Sequence, residues 1–339
     1  MEHVRPVSLL SSHCLFSSDP PLPPTYSAGS LCDYLSGNNP ELGGFIKAPP
    51  GSLDWEARKW RIMEEVLRVE CDVIVLCEVD HYDDFMRPLL EGCGYRSLFV
   101  GKPASPCLQY GSAQADGCCL FYKEDKLDLM SSRGFTFAHS ESDSLSVESK
   151  AAAAEKLVVQ NQVGLLAALR CKASRKELIV GATHLKASKT LQGEISRAKE
   201  AREFLDKATA LRSQLGKPLE SGGTGADVPV LLCGDFNATP RACSMYEGLC
   251  YREIEKHPLS LQSVYPLDDD SFTTWKIRQG PDGKDKETRH TIDYMLHSSG
   301  ITPLSYLGMP SSEDLGAARA PSFVYPSDHF SLVATFALE

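Results

Sequence analysis

PVLLCGDFNATP, residues 229–240, is the stretch from which the fold of this chain is best read. It opens with a short apolar run, which is typical of a strand buried on both faces of a sheet. The run stops abruptly at Asp235, and Asn237 follows two residues later. Asp, Asn and Gly are also ordinary turn residues, so this stretch alone is consistent with a plain turn. Its meaning therefore depends on whether other strands of the chain end in the same way.

Four more apolar runs of this kind meet a polar residue of catalytic or metal-binding type. They are DVIVLCE (72–78) with Glu78, ELIVGATH (177–184) with His184, HTIDYML (290–296) with Asp293, and FSLVATF (330–336) preceded by Asp328 and His329. Each residue alone has a structural explanation, as an exposed strand end, a turn former or a satisfied core histidine. However, α/β folds commonly gather their chemistry at strand ends, and carboxylates beside apolar runs are costly unless paired or metal-bound. Five such ends favour one shared site.

This set of side chains has the composition of a hard-cation site. Three or four carboxylates and an amide make the set rich in oxygen ligands, which suits Mg²⁺, with Mn²⁺ as the alternative, and the set lacks the thiolates that zinc prefers. Magnesium held by one or two carboxylates together with substrate phosphate is the usual arrangement for phosphoryl transfer. The pattern therefore predicts a metal-dependent phosphate chemistry.

The remaining pattern predicts one α/β domain over residues 1–339, with sheets in layers. A helix is expected from an N-cap at Asp54, a second over 192–212, and a hairpin pair within 158–171. Irregular insertions are expected near 17–53, 139–156 and 213–227, where Pro, Gly, Ser or charged residues dominate.

Composition narrows the class of partner and the compartment. The chain has 339 residues, a formal net charge of −10 and 12 cysteines. An acidic protein is a poor general binder of long nucleic acid, because that affinity comes mostly from cationic contacts to phosphates. No CxxC pair occurs, and Cys77, Cys119 and Cys233 sit in apolar runs, which indicates buried thiols in a reducing compartment. No apolar run is long enough to span a membrane, and the first residues do not resemble a secretory signal.

Several blocks resemble the endonuclease/exonuclease/phosphatase superfamily. They are LCEVDHY around Glu78, THLKA (183–187), CGDFNATP (233–240), TIDY (291–294) and SDHFSLV (327–333), in the family's order and spacing. Further blocks resemble the nocturnin family, in the carbon-catabolite-repressor-type deadenylase branch: KPASPCL (102–108), DGCCLFY (116–122), TTWKIR (273–278), RHTIDY (289–294) and PSFVYPSDH (321–329). The fold that this resemblance implies is a four-layer α/β sandwich, in which two packed sheets are flanked by helices.

The resemblance also implies roles for the residues at the strand ends. Glu78 resembles the magnesium ligand, with Asp328 beside the metal. Asp235 and Asn237 resemble the pair that orients the attacking water and the scissile phosphate. Asp293 and His329 resemble the carboxylate–imidazole dyad, and His184 resembles the histidine that contacts phosphate. Whether Asp235 or His329 accepts the proton of the water stays open at the level of sequence.

The implied activity is removal of the 2′-phosphate from NADP⁺ and NADPH, and the acidic charge suits a small dinucleotide better than a long RNA. Two alternatives remain: a 3′-exoribonuclease that shortens poly(A), and a weakened relative that only binds nucleotides. Lys102, Lys186 and Arg289 are the cations expected near the phosphates. Trp275 either stacks on the substrate or packs in the core, which is the commoner place for a tryptophan.

Two positions depart from the family pattern. The first family strand carries an asparagine near the metal, and the matching stretch here, VSLLSSHCLF (7–16), places His13 there. The family arginine after THLKA is replaced by Ser188, followed by Lys189, which lacks the bidentate fork of arginine. The second departure bears on the choice of substrate more than on phosphate ester hydrolysis. The expected location is the cytoplasm, with the mitochondrion as the alternative, because the N-terminus is not Arg-rich.

Overall fold

The computed structural model of the chain describes residues 22–29, 32, 36, 44–110, 112, 114–140, 157–215, 227–240, 248–280 and 282–339. The strands are β1 Leu22–Gly29, β2 Val73–Val79, β3 Tyr95–Gly101, β4 Gly117–Lys123, β5 Leu127–Ser140, β6 Leu157–Cys171, β7 Glu177–His184, β8 Val230–Asp235, β9 Gln262–Ser263, β10 Thr274–Gln279, β11 Asp285–His290, β12 Asp293–His297, β13 Ile301–Tyr306 and β14 Leu332–Leu338. The helices are α1 Trp55–Arg68, α2 Arg87–Gly92, α3 Leu191–Leu215, α4 Leu249–Lys256 and α5 Ser312–Leu315. A π-helical turn, Tyr82–Met86, leads into α2, and Pro106–Tyr110 is a 3₁₀ turn.

The strands form two six-stranded mixed sheets and one separate ribbon. The first sheet has the order β13-β14-β1-β2-β4-β3, and the second has the order β5-β6-β7-β8-β12-β9. Helices α1 and α2 cover the outer face of the first sheet, and α3 and α4 cover that of the second. The predicted four-layer sandwich is therefore confirmed. β10 and β11 pair with each other as an antiparallel ribbon beside the two sheets.

The two faces of β2 show why the central strands are continuously apolar. Val73 and Val75 point into the core between the sheets, whereas Ile74 and Leu76 point toward α1. Successive side chains of a strand face opposite sides, so a strand between two packed layers needs apolar residues at every position. The charged end of this strand, Glu78, is therefore the exception that the sequence pattern isolates.

Two expectations about individual segments are wrong. Residues 158–171 belong to a single strand, β6, because the polar residues 160–162 are absorbed in a bulge against β5 and make no turn. The stretch 17–53 is not irregular throughout, since it contains β1, which lies parallel to β2 and antiparallel to β14. The strand expected at 7–16 and His13 lie outside the described residues. The helices beginning after Asp54 and near residue 192 are present as α1 and α3.

Gly234 explains the glycine of the GDFN motif. Its φ is +144°, and a Cβ at this position would lie 1.9 Å from the carbonyl oxygen of Thr183 on β7. Only glycine permits this approach of the two backbones. β7 and β8 run parallel in a register that pairs His184 with Asp235, so the close approach sets these two polar residues side by side. Among the described helices, none is long and apolar enough to cross a membrane.

Candidate active site

A cleft of about 940 Å³ opens where β2, β7 and β8 end, beside the loop that precedes β14. Its floor contains predicted residues from four separate chain segments. They are Glu78, His184, Asp235, Asn237, Asp328 and His329. Asp293 joins them through a contact with His329. The structure thus brings together the strand-end residues that lie up to 251 positions apart in the sequence.

Two of these residues have unusual backbone conformations. Glu78 has φ of 59° and Asn237 has φ of 49°, both in the left-handed region. Such conformations are uncommon outside glycine and are found disproportionately at functional sites. Here they mark the places where β2 and the segment after β8 turn their polar side chains into the cleft.

His329 and Asp293 form a hydrogen-bonded dyad. The Nδ1 atom of His329 lies 3.0 and 2.9 Å from the two carboxylate oxygens of Asp293. Thr273 Oγ1 donates to Asp293 Oδ2 at 2.6 Å, which fixes the carboxylate. Burial alone would lower the pKa of His329, but the charges of Asp293 and Asp328 raise it to about 10. The imidazole is therefore a cation at neutral pH, with Nε2 directed away from Asp293.

Asp235 is held by the backbone of the turn that follows it. The backbone N–H of Asn237 donates to Asp235 Oδ1 at 2.7 Å, while the Asn237 amide donates to the carbonyl of Leu185 at 3.0 Å. His184 Nε2 lies 3.7 Å from Asp235 Oδ2 and 3.8 Å from Glu78 Oε1, beyond hydrogen-bond distance of both. Burial, and then the charges of Lys102 and His329, lower the pKa of His184, so it stays neutral between the two carboxylates.

Asp328 is the one carboxylate of the floor that is stabilised by cations of the ribbon. Lys276 Nζ donates to Asp328 Oδ2, and an Arg278 nitrogen lies 4.0 Å from the same oxygen. Burial opposes ionisation, but Lys276, His329 and Arg278 together hold the pKa of Asp328 well below its usual range. The ribbon is therefore fastened electrostatically to the floor of the cleft.

For the other two carboxylates of the floor, Glu78 and Asp235, burial and repulsion outweigh the nearby positive charges. Burial, followed by the charge of Asp328, raises the pKa of Glu78. Burial, followed by the charge of Asp293, raises the pKa of Asp235 to about 8. Several buried carboxylates that repel one another form a site that a divalent cation would stabilise. This oxygen-rich donor set fits Mg²⁺ or Mn²⁺, as predicted.

The predicted substrate-binding lysines are placed differently from each other. Lys102 is buried behind Glu78, where its Nζ lies 2.5 Å from Asp116. Burial opposes its charge, but Asp116 and Glu78 raise the pKa of Lys102. Lys186 is exposed on the loop after β7, and its backbone N–H donates to Glu200 at 2.9 Å. Direct contact of Lys102 or Lys186 with substrate stays a prediction.

Trp275 and Arg289 face each other across the ribbon. The guanidinium groups of Arg289 and Arg319 lie over the Trp275 ring, 4.9 and 4.3 Å from its centroid, and Phe272 packs against it edge-on. The indole N–H donates to Glu287 at 2.6 Å. These contacts favour the packing alternative for Trp275. Arg289 borders the cleft and also lies over Phe272.

The loop after β7 carries Ser188 and Lys189. Arg197, on α3, donates to the carbonyls of Lys186 and Ser188 at 2.7 and 2.6 Å and so holds the loop from below. Ser188 Oγ lies 3.0 Å from Thr190 Oγ1, while Lys189 lines the cleft. The basic group that this loop offers to the cleft is thus the ammonium of Lys189.

Glu200 under this loop makes the stability of the protein dependent on pH. Burial raises its pKa from the usual 4.5 to about 7, so the folded protein keeps the proton that the unfolded chain loses between these values. The stabilisation that protonated Glu200 contributes is complete below pH 4.5 and is lost as pH rises to 7.

We expect the unfolding free energy of Glu200→Gln, compared with that of the wild type, to be about 2–3 kcal/mol more favourable at pH 8 than at pH 4.5. Urea denaturation at both pH values measures this, with the exposed Glu64→Gln as control. An unchanged pH dependence would contradict it.

The sequence interpretation missed the cationic face of the ribbon. Lys276, Arg278 and Lys286 all line the cleft. The signal that was available is the segment 279–284, QGPDGK, which is typical of a turn between two polar strands.

Comparisons with known proteins agree with the fold and with the cleft. Residues 198–329 match the model of the Endonuclease/Exonuclease/phosphatase family. Nocturnin of Xenopus laevis is 36% identical over 300 residues, which are 86% of this chain and 67% of that protein. The human Nocturnin catalytic domain with bound sulfate anion superposes with a TM-score of 0.69 and 28% identity, over 95% of this chain and 96% of that one.

More distant relatives are exoribonuclease subunits of the CCR4-Not complex. The CCR4-Not complex 3′-5′-exoribonuclease subunit Ccr4 of Neurospora crassa is 23% identical over 367 residues, covering 91% of this chain and 44% of that protein. The chain spans 67% of the frog nocturnin and 60% of the human one. Similarity over part of a longer protein does not by itself give this chain the activity of that protein.

Proposed function

The chain belongs to the endonuclease/exonuclease/phosphatase family, in its nocturnin branch, and on this basis we propose that it is a divalent-metal-dependent phosphohydrolase that removes the 2′-phosphate of NADP⁺ and NADPH. The observation that carries the proposal is the convergence of Glu78, Asp235 and His329 on one cleft. The products would be NAD⁺ or NADH and inorganic phosphate.

The charges of the cleft support a small anionic substrate. The chain as a whole is acidic, with a net charge of −10, which disfavours general binding of long nucleic acid. The wall formed by the ribbon is nevertheless cationic, through Lys276, Arg278 and Lys286. A compact polyanion such as a phosphorylated dinucleotide fits this local reversal of charge.

Glu78 and Asp328 are the residues that would hold the metal ion. Bound Mg²⁺ or Mn²⁺ supplies charge neutralisation on the phosphoryl oxygens. Burial and mutual repulsion raise the pKa of Glu78, which is the observation that supports a cation there. Calorimetric titration with Mg²⁺ tests this assignment directly.

The protein residues divide the remaining work. Asn237 orients Asp235, and the raised pKa of Asp235 suits it to accept a proton from the attacking water at Oδ2. His329 is already protonated, so its Nε2–H stabilises negative charge on the phosphoryl group, while Asp293 fixes the ring. His184, which is buried and neutral, offers Nε2 as a hydrogen-bond donor to phosphate.

The second candidate is a 3′-exoribonuclease acting on poly(A), favoured by the match to Ccr4 over 91% of the chain. A third reading is a weakened nucleotide-binding relative, motivated by His13 and Ser188. These alternatives share the same cleft and differ in what enters it.

One experiment separates the candidates. Phosphate release from NADP⁺ and NADPH, and nucleotide release from oligo(A), are measured side by side with and without Mg²⁺. We expect magnesium-dependent phosphate release from both dinucleotides, at a kcat/KM above that for oligo(A). Shortening of oligo(A) with NADP⁺ left intact would replace the proposal by the second candidate. No turnover of any substrate and no calorimetric binding of Mg²⁺ would favour the third.

A further inference from the structure

A second cavity, of about 210 Å³, adjoins the cleft. We call it the rear cavity, and it is bounded by the segment 265–273 and by Thr291, Tyr306 and Met309. Among the described residues, none lines both this cavity and the cleft. The rear cavity is therefore a separate place in the structure and has no part in the site described above.

The partition between the two cavities is made of two paired backbone segments. The N–H of Thr273 donates to the carbonyl of His290 at 2.9 Å, where the ribbon joins the rest of the chain. Thr274, His290 and Ile292 line the cleft, whereas Thr273 and Thr291 line the rear cavity. This alternation is typical of extended chains, in which successive side chains face opposite sides. The rear cavity thus lies behind the cleft, one backbone layer away.

The interior of the rear cavity is aromatic, and its rings are held in place. Tyr265 and Phe272 are buried, and Tyr306 packs on Tyr265 with the ring centroids 4.9 Å apart. The Tyr265 hydroxyl donates to the carbonyl of Val333 at 2.9 Å, and Phe330 contacts Phe272 edge-on. Apolar walls of this kind are typical of sites for small molecules, and a cavity of about 150 Å³ is enough for benzene. The rear cavity therefore has room for one aromatic ring with a small substituent.

Thr291 leaves a polar group unsatisfied in this lining. Its side chain is 7% exposed, and its hydroxyl has no hydrogen-bond partner among the described residues. The hydroxyl of Thr273, in contrast, donates to Asp293 Oδ2 at 2.6 Å and accepts from the N–H of Asp293 at 3.0 Å. A buried polar group without a partner is costly, so a molecule that offers a hydrogen bond to Thr291 would gain from doing so.

The charge of the rear cavity is opposite to that of the ribbon wall of the cleft. Asp268 and Asp270 are exposed at its rim, and none of the described residues that line it is basic. The guanidinium of Arg289 lies over Phe272, but it donates to the backbone carbonyl of Asp270 and lines the cleft instead. The entrance of the rear cavity is therefore negative.

We propose that the rear cavity is a binding site for a small, flat aromatic cation that carries hydrogen-bond donors, such as an arylamidine. The ring lies between the aromatic side chains, the positive charge faces Asp268 and Asp270, and a donor reaches the hydroxyl of Thr291. Cations are attracted by the faces of aromatic rings as well as by carboxylates. The same carboxylates repel the phosphates that the ribbon wall attracts, so the two cavities select opposite charges. This site goes beyond the proposed function and does not depend on it.

Two ligands of one shape and different charge test the site. Benzamidine is a cation at neutral pH and benzamide is neutral, and both are flat single rings with N–H donors. In calorimetric titration of the wild type with Mg²⁺ present, the Kd for benzamidine should be about tenfold or more below that for benzamide. Equal affinities for the two ligands, or no binding of benzamidine, would overturn the proposal.

Replacing the two rim carboxylates shows whether they supply this difference. Asp268→Asn/Asp270→Asn removes both charges but keeps the side-chain oxygen of residue 268, which accepts from Ser271 Oγ at 2.7 Å. The Kd for benzamidine should rise about tenfold in this variant, while the Kd for benzamide stays the same. The matched control, Asp125→Asn/Asp227→Asn, removes two exposed carboxylates outside the cavity and should change neither value. An unchanged Kd for benzamidine in the first variant would contradict the proposal.

Two further variants separate the rear cavity from the cleft. Thr291→Met fills the rear cavity with apolar atoms and should raise the Kd for benzamidine about tenfold or more, with thermal unfolding near that of the wild type. Glu78→Gln changes the cleft alone and should leave this Kd unchanged. Loss of benzamidine binding in Glu78→Gln would place the ligand in the cleft and overturn the proposal. None of these titrations uses turnover, so their outcome is independent of whether NADP⁺ is hydrolysed.

Discussion

Glu78→Gln is expected to reduce kcat for phosphate release from NADP⁺ about 10³-fold or more, while the protein stays folded. The substitution keeps the shape of the side chain but removes the negative charge that would hold the metal ion on the floor of the cleft. Glutamine also removes a buried carboxylate whose pKa is raised, so the variant should be at least as stable as the wild type. Steady-state kinetics with Mg²⁺ measures the first effect, and thermal unfolding measures the second.

The exposed Glu64→Gln, on α1, is the matched control, because it makes the same chemical change outside the cleft. Calorimetry should show weaker Mg²⁺ binding in Glu78→Gln and unchanged binding in the control. Turnover by Glu78→Gln near the wild-type rate would show that Glu78 does not hold the metal ion, even if the protein is an active phosphohydrolase.

Asp293→Asn is the second large effect, with an expected loss of about 10²–10⁴-fold in kcat near pH 8. Asparagine can still accept the hydrogen bond from Thr273, but it lacks the negative charge that helps to raise the pKa of His329 to about 10. Without it, the pKa of His329 is lower, so less of the imidazole is protonated at alkaline pH. The loss should therefore be smaller at pH 6 than at pH 8.5, because the protonated form is restored in acid.

A pH–rate profile of kcat for Asp293→Asn distinguishes this role from a purely structural one. The comparison is with Asp285→Asn on β11, where the carboxylate pairs with Lys47 at the surface, 2.7 Å away. An equal loss at pH 6 and pH 8.5 would show that protonation of His329 is not what Asp293 provides. A wild-type rate in Asp293→Asn would show that turnover does not depend on the pairing of Asp293 with His329.

The floor of the cleft was predictable because its residues interrupt apolar strands. A carboxylate at the end of a run such as DVIVLCE stands out from its surroundings, and the parallel pairing of β7 with β8 forces His184 and Asp235 together. The family blocks then added the order of the strands. Local pattern and sheet geometry agree here, which is why the fold and the strand-end cluster could be predicted together.

The ribbon and β1 were missed for a different physical reason. β11 carries only polar and charged residues, and on β10 the alternation of Trp275 and Ile277 with Lys276 and Arg278 is too short to stand out as an apolar period. β1 begins with Pro23 and Pro24, which indicate a loop, yet its later residues find partners on both sides in β2 and β14. Tertiary pairing overrides local propensity in such segments. Lys189 and the ribbon line the same cleft although they are distant in the sequence, and such a convergence leaves no local trace.

The attachment of the β10–β11 ribbon has a consequence for how such a protein can change. The two strands of the ribbon pair with each other. Among the described segments, strand-type pairing joins the ribbon to the rest of the chain only through two isolated bridges, Thr274 to His329 and Lys276 to Ala320. The reaction centre, in contrast, is built into the ends of two six-stranded sheets. Replacements at ribbon positions that do not contact Asp328 or His329 can therefore change which molecules the cleft accepts while the hydrolytic residues stay in place.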